Sequence, residues 1–332
     1  MAESDPGIAR RHALLRLLQL GGLSSGAAAT ALWLSRRRPA EEFAPAFVQR
    51  NFTVAPDPAL PTMSVTQGDD PRLLLHRAID DLGGIRRFIS RGDVVVIKPN
   101  VAWDRTPAQG ANTNPDVVAQ MVLLCLEAGA KSVIVTDVSI HDPRRTFERS
   151  GIAPAVRAAG ASVLLPESRH FREVDLHGEV LRSWPVFQPF LEADKMINMP
   201  IAKHHSLTGV SLGMKNWYGI LGGQRRRLHQ RIHESLADLA AFMRPTLTVL
   251  DAWRVLLRNG PTGGNLEDVA LKKTLIASTD PVGLDAWAAR AWWNLDPPQL
   301  PYLKLASARG LGTVEFEKLR IRVSSCCEQP SS

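Results

Sequence analysis

A chain of 332 residues, 45% hydrophobic and 22% charged, has ordinary globular composition and more length than one small core needs, so one large α/β domain or two lobes is expected. Its net charge of +7 favours an anionic small molecule or a membrane surface as partner; the basic residues are scattered and nowhere interleaved with stacking aromatics, which excludes a nucleic-acid surface. Three cysteines exclude a disulfide framework and fall short of the four thiolates of an iron–sulfur cluster, so no such cluster is expected and the cofactor stays unassigned.

Residues 1 to 45 stand apart from the fold. Arg10-Arg11 precedes an uncharged run from Leu17 to Leu34 rich in Gly, Ala and Ser, the pattern of a twin-arginine export signal. Ala9 and Ala13 replace the usual Ser/Thr and Phe of that pattern, and Ala29-Thr30-Ala31 offers a cleavage site. Export by the twin-arginine machinery, to the periplasm or to an anchor facing it, is the first expectation. A retained anchor on the cytoplasmic face is the alternative, since Arg36-Arg37-Arg38 after the run opposes export. Residues 46 to 62 form a polar, Pro-rich linker, 63 to 325 the folded domain, and 326 to 332 a tail.

Within the domain, Met63 to Val65 opens a strand and Pro71 to Leu82 a helix stopped by Gly83-Gly84. Val94 to Ile97 is a run of β-formers of the kind buried on both faces, and it ends in Lys98 and Asn100. Asn114-Pro115-Asp116 supplies cap, first-turn proline and first-turn acid for a helix closed by Gly129. Ser132 to Thr136 is a strand ending in Asp137; a helix over Thr146 to Ala159 and a strand over Ala161 to Leu165 follow. This alternation predicts an α/β fold, a mostly parallel or mixed sheet with helices on both faces. Phe171 to Leu176 and Glu179 to Trp184 form a hairpin excursion around His177-Gly178. A helix over Arg225 to Met243, a strand over Thr246 to Leu250 ending in Asp251, and a strand over Lys273 to Ala277 come next. Asp280 and a helix holding Asp285 follow, with a last strand over Phe316 to Val323.

The stretch from Asp194 to Gly223 organises the rest. A short apolar strand ends at Pro200, Lys203-His204-His205 follow, and Leu207, Val210, Met214, Trp217 and Leu221 recur at helical spacing. Ser206 is placed to cap that helix, and Thr208, Ser211 and Lys215 fall on its other stripe. Lysines and histidines would then meet at a strand end in front of free amides, an arrangement suited to anions.

Ile97-Lys98-Pro99-Asn100, Lys203-His204-His205, Lys215-Asn216 with Tyr218-Gly219, Leu228-His229, Leu250-Asp251 and Ser278-Thr279-Asp280-Pro281 occur here in order. With Asp285 they resemble the DUF362 family over roughly 63 to 294. The resemblance implies a mixed α/β fold without a settled activity. Some relatives carry a ferredoxin-like module with cluster-binding cysteines, which this chain lacks.

The expected chemistry is an enzyme acting on a small anionic substrate. Lys98, Lys203 and Lys215 would clamp it with Asn100 and Asn216, His205 would be the acid/base, and Asp251 or Asp280 would orient the imidazole. Two alternatives stand beside it: a non-catalytic anion-binding or redox-accessory protein using the same cations, or a metal-dependent enzyme using His229 and His233 as an i, i+4 pair. No nucleophile motif of the GxSxG type is present.

Overall fold

The β-branched runs become the middle of a sheet, and the polar residues that end them gather at one edge. The computed structural model describes residues 51–326; the expected leader and Cys327 lie outside the described residues. The first part comprises β1 (Met63–Gly68), α1 (Pro71–Asp81), β2 (Val94–Pro99), α2 (Pro115–Glu127), β3 (Ser132–Val135), α3 (Pro143–Arg149), α4 (Ile152–Ala158) and β4 (Ser162–Val163). The middle comprises β5 (Phe171–Asp175), β6 (Ser183–Phe187), α5 (Pro189–Glu192), β7 (Lys195–Met199), β8 (Ile201–His205), β9 (Gly209–Ser211) and α6 (Gly213–Asn216). The last part comprises α7 (Ile232–Phe242), β10 (Leu247–Leu256), β11 (Val269–Ser278), α8 (Pro281–Trp293), α9 (Pro301–Ala308) and β12 (Ile321–Cys326).

The main sheet has ten strands, with the path β12-β1-β11-β10-β7-β2-β3-β4 and β8 and β9 branching from β10. It is mixed and mostly parallel: β11 runs antiparallel to β1 and β10, and β9 antiparallel to β8. Strand alternation divides the core into two layers. On β10, Leu247 and Val249 join the core under α1, α2 and α4, whereas Leu250 and Ala252 join the core under α8. Helices therefore cover both faces, as the strand–helix repetition predicts. β5 and β6 make a separate two-stranded antiparallel sheet, the expected excursion, with Phe171 opposite Phe187.

The central stretch departs from its helical reading. Pro200 interrupts the strand without ending it: β8 resumes beside β10, with Ile201 opposite Asp251. The chain then turns back through Ser206–Thr208 into β9, which places Ser211 opposite Lys203. Gly209 allows that turn at φ 75°, a left-handed conformation that a side chain would oppose. Val210 and Leu212 thus enter the core by strand alternation, and helical structure begins only at Gly213. Ser206 caps nothing.

Other boundaries shift for local reasons. Ser150-Gly151 splits the helix expected over Thr146 to Ala159, with Gly151 at φ 76°. Residues 225 to 231 form a tighter 3-10 helix, so the α-helix begins at Ile232. The second hairpin strand starts at Ser183 because the Asp238 carboxylate takes the amides of Glu179, Val180 and Leu181. β10 continues six residues past Leu250, which puts Asp251 inside a strand. The last strand begins at Ile321 and includes Cys326, one residue beyond the expected end of the domain.

Candidate functional site

A cleft of about 590 Å³ opens where β2 and β3 end and β8 turns into β9. Lys98, Asn100, Asp137, Lys203, His205, Lys215, Asn216, Tyr218, Arg225 and His229 all contribute to its lining. Sequence reasoning places most of these at one sheet edge, and the fold brings them together.

Asn216 is the hub of the floor. Its carbonyl oxygen accepts from Lys98 Nζ at 2.9 Å and Asn100 Nδ2 at 3.0 Å. Its amide nitrogen donates to Lys98 O at 3.2 Å and to Asn198 Oδ1 at 2.8 Å. An amide has two donors and two acceptor lone pairs, so Asn216 has none left for a ligand. In this arrangement it positions the lysines. Lys98 is spent in a similar way: its ammonium donates to Pro99 O and to Asn216 Oδ1 and forms an ion pair with Asp137 Oδ1 at 2.6 Å. Both partners of that ion pair are buried, at 1% and 2% side-chain exposure. Burial lowers the Lys98 pKa, against the opposing pull of Asp137.

The other two lysines differ. Lys203, 1% exposed, donates to Asn100 Oδ1 at 2.9 Å and to the Ala111 carbonyl at 2.7 Å, which leaves one N–H for the cleft. Burial pushes its pKa down to about 7, with Lys215 and Lys98 adding to the fall and Asp137 opposing it. Lys215 has no carboxylate within ion-pair distance among the described residues; its ammonium lies over the Tyr218 ring, 4.8 Å from the centroid. Burial first, then Arg225, lowers its pKa to about 8. The guanidinium of Arg225 holds the carbonyls of Val138 at 2.7 Å and Ser139 at 2.8 Å, bracing the loop after β3.

His205 has an assignable tautomer. Its Nδ1 accepts the Leu207 backbone N–H at 3.1 Å, so in the neutral ring the proton sits on Nε2. Burial, then Lys215, Lys203, His229 and His204, push its pKa down to about 3. Near neutrality the ring is an uncharged hydrogen-bond donor, and Nε2, already protonated, cannot accept a proton. The expected base therefore becomes a donor, for a reason visible only once the Leu207 turn is known.

Asp251 and Asp280 do not line this cleft. Asp251 accepts the amides of Asn114 at 2.7 Å and Trp253 at 2.9 Å, tying the start of α2 to β10. Asp280 caps α8 through Gly283 N and also accepts from Thr313 N, so both carboxylates are committed to backbone rather than to His205. His229 and His233 are divided by the change from 3-10 to α helix. His229 lies in the cleft beside Tyr218, with centroids 5.9 Å apart, while His233 stacks on Tyr302 at 6.4 Å outside it. The two rings thus have different surroundings, and among the described residues no three His, Cys, Asp or Glu side chains converge.

Asp137, Arg225 and Gly219 belong to the cleft although sequence reasoning gave them no role in it. Asp137 had a signal: it follows β3 as Lys98 ends β2, and β2 and β3 pair in parallel. Gly219 stands in the family pattern, but the reason for a glycine there is visible only in space. A Cβ there would collide with Asp137 Oδ1 and lie 2.6 Å from Lys98 Nζ, so the ion pair closes over bare backbone.

A family model described as Domain of unknown function (DUF362) matches residues 95–290, well over half of the chain and every polar residue of the cleft floor. The chain belongs to the DUF362 family. It is 27% identical over 252 residues to the thylakoid-associated protein sll1697 of Synechocystis sp. (strain ATCC 27184 / PCC 6803 / Kazusa), covering 73% of this chain and 76% of that one. Among solved structures it is similar to a Thermotoga maritima protein, with TM-score 0.37 and 14% identity over 72% of this chain and 58% of that one. It is also similar to the lactate racemase apoprotein of Thermoanaerobacterium thermosaccharolyticum, with TM-score 0.40 and 11% identity over 67% of this chain and 55% of that one. This DUF362 chain thus spans a little over half the length of the two solved proteins.

Proposed function

We propose that this DUF362 protein is an enzyme that binds a small oxyanion in the cleft and moves a proton on the molecule that carries it. The observation behind the reading is Lys215, an amine at the cleft with no carboxylate partner among the described residues, beside Lys203 with one uncommitted N–H. Lys203 holds the anion as a point charge. His205 donates its Nε2–H to oxygen where negative charge develops, and because the ring is neutral that donation does not compete with the lysines for protons. Lys215 is the acid/base, since a lysine lowered to about 8 exists in both forms near neutrality. Lys98, Asp137, Asn100 and Asn216 keep these groups in place.

The test is proton exchange. Small carboxylates and phosphates with a C–H next to an electron-withdrawing group are incubated with the full chain in D2O and followed by proton NMR. The reading predicts loss of one C–H signal with the parent and not with Lys215→Met. Binding without exchange across the panel would leave an anion-binding protein as the better account.

The leader belongs to the same proposal. Arg10-Arg11 before an uncharged run supports twin-arginine export of the folded domain. The relative's printed description as thylakoid-associated supports an association with a membrane. Among the described residues no helix is long and apolar enough to cross a membrane.

A further inference from the structure

The mouth of the cleft differs in chemistry from its floor. Ile140 and Leu207 line it and are 54% and 55% exposed, two of the seven large apolar side chains left in solvent among the described residues. The half-buried Trp103, Ala102 and Pro261 join them. Single exposed apolar residues need no explanation, but several around one opening mark a surface that a ligand covers.

The rim is held in place. The Ile140 N–H donates to the Ala102 carbonyl at 3.1 Å. Trp103 N accepts its geometry from Asn112, to whose Oδ1 it donates at 3.1 Å, while Asn112 Nδ2 donates to the Trp103 carbonyl at 2.7 Å. Leu207 is tied to the floor itself, because its N–H donates to His205 Nδ1. The turn that sets the histidine tautomer thus also sets an apolar side chain at the entrance. At about 590 Å³ the cleft falls among pockets for small organic ligands and is far larger than an inorganic oxyanion needs.

We propose that the ligand is an amphipathic anion: a compact oxyanion head, carboxylate or phosphate, that reaches Lys203 and Lys215, carrying a hydrocarbon body that covers Ile140, Leu207 and the Trp103 ring. This rests on the anion-binding reading above and adds the part of the molecule that the lysines do not see. The head alone gains charge–charge attraction, and the body gains burial of apolar surface on both sides of the contact.

Two homologous series test it by isothermal titration with the purified full chain in detergent-free buffer: straight-chain carboxylates from acetate to octanoate, and alkyl phosphates from methyl to hexyl. A fully buried methylene strengthens binding roughly fourfold, and a half-open rim leaves at least about tenfold over four methylenes. The proposal predicts that rise in at least one series, and the series that shows it identifies the head. It also predicts that the double variant Ile140→Ser with Leu207→Ser flattens the rise; both side chains are more than half exposed, so the fold does not depend on them. Affinity independent of chain length overturns the proposal and leaves the anion reading standing. An equally steep rise in the double variant overturns the placement of the body. Failure of every member of both series to bind removes the anion reading and this inference with it.

Discussion

Replacing Lys203 by methionine tests the electrostatics of the floor. The substitution keeps the length of the stem and deletes the ammonium, leaving Asn100 Oδ1 and the Ala111 carbonyl without their donor. That loss costs about 1–3 kcal/mol for each buried acceptor and does not vary with pH. The charge contributes a second, pH-dependent part. Lys203 falls from 10.5 to about 7 on folding, so above about pH 7 the unfolded chain binds a proton that the folded chain does not. Stability supplied by this group therefore rises as pH climbs from about 7 toward 10.5, and below about 7 the folded state carries the full penalty of a buried cation. At about 1.4 kcal/mol per pH unit, the parent gains up to roughly 2–3 kcal/mol on the variant between about pH 7 and pH 9; relaxation of the site brings the expected figure nearer ~2 kcal/mol. Urea unfolding followed by tryptophan fluorescence at several pH values gives both curves. Parallel curves would refute the reasoning, because Lys203 would then keep its ordinary proton in the folded state.

Further outcomes follow from individual contacts. Gly219→Ala drives a methyl group into the Lys98–Asp137 pair and should cost roughly 2–3 kcal/mol in thermal or urea unfolding while abolishing anion binding. His205→Gln keeps both a donor and an acceptor and should retain measurable proton exchange, whereas His205→Leu should lose it; equal loss in both variants would restore the ring as an acid/base. Lys215→Met should weaken anion binding by about 1.5–3 kcal/mol if a charge-assisted hydrogen bond is lost, and unchanged affinity would make Lys215 a bystander. A fusion of residues 1 to 45 to a reporter active only outside the cytoplasm should lose its signal when Arg10 and Arg11 both become Lys.

How much of this could be read in advance depended on whether the deciding interaction was local. Val94 to Ile97 could only be a buried strand, and Asn114-Pro115-Asp116 carries its cap in its own side chains, so β2 and α2 fall where periodicity puts them. Lys98 and Asn100 reach one edge because parallel strands end together, whereas Lys203 arrives there inside β8 and Lys215 on α6. The segment from Leu207 to Leu221 misled because apolar residues three and four apart fit a helix and also fit a hairpin followed by one short turn of helix. Only the pairing of Lys203 with Ser211 decides between them, and that is a tertiary fact. The partners of Asp251 and Asp280 are backbone amides, which leave no trace in side-chain identity. Asp137 was visible as a strand-end acid, but its role depends on lying 2.6 Å from Lys98.

The central claim is that an oxyanion binds at Lys203 and is held by its charge, with Lys215, the acid/base, close enough to feel the anion. Such binding must raise the pKa of both amines, and so must draw protons from solution wherever they are partly neutral. Acetate and sulfate, neither of which titrates near neutrality, serve as probes. Calorimetric titration of the full chain in buffers of different ionisation enthalpy measures the protons taken up per anion bound. The account predicts uptake of a substantial fraction of a proton at about pH 8, fading toward zero by about pH 6, and lost in Lys203→Met combined with Lys215→Met. Binding without proton uptake at about pH 8, or uptake equal in parent and double variant, would contradict it.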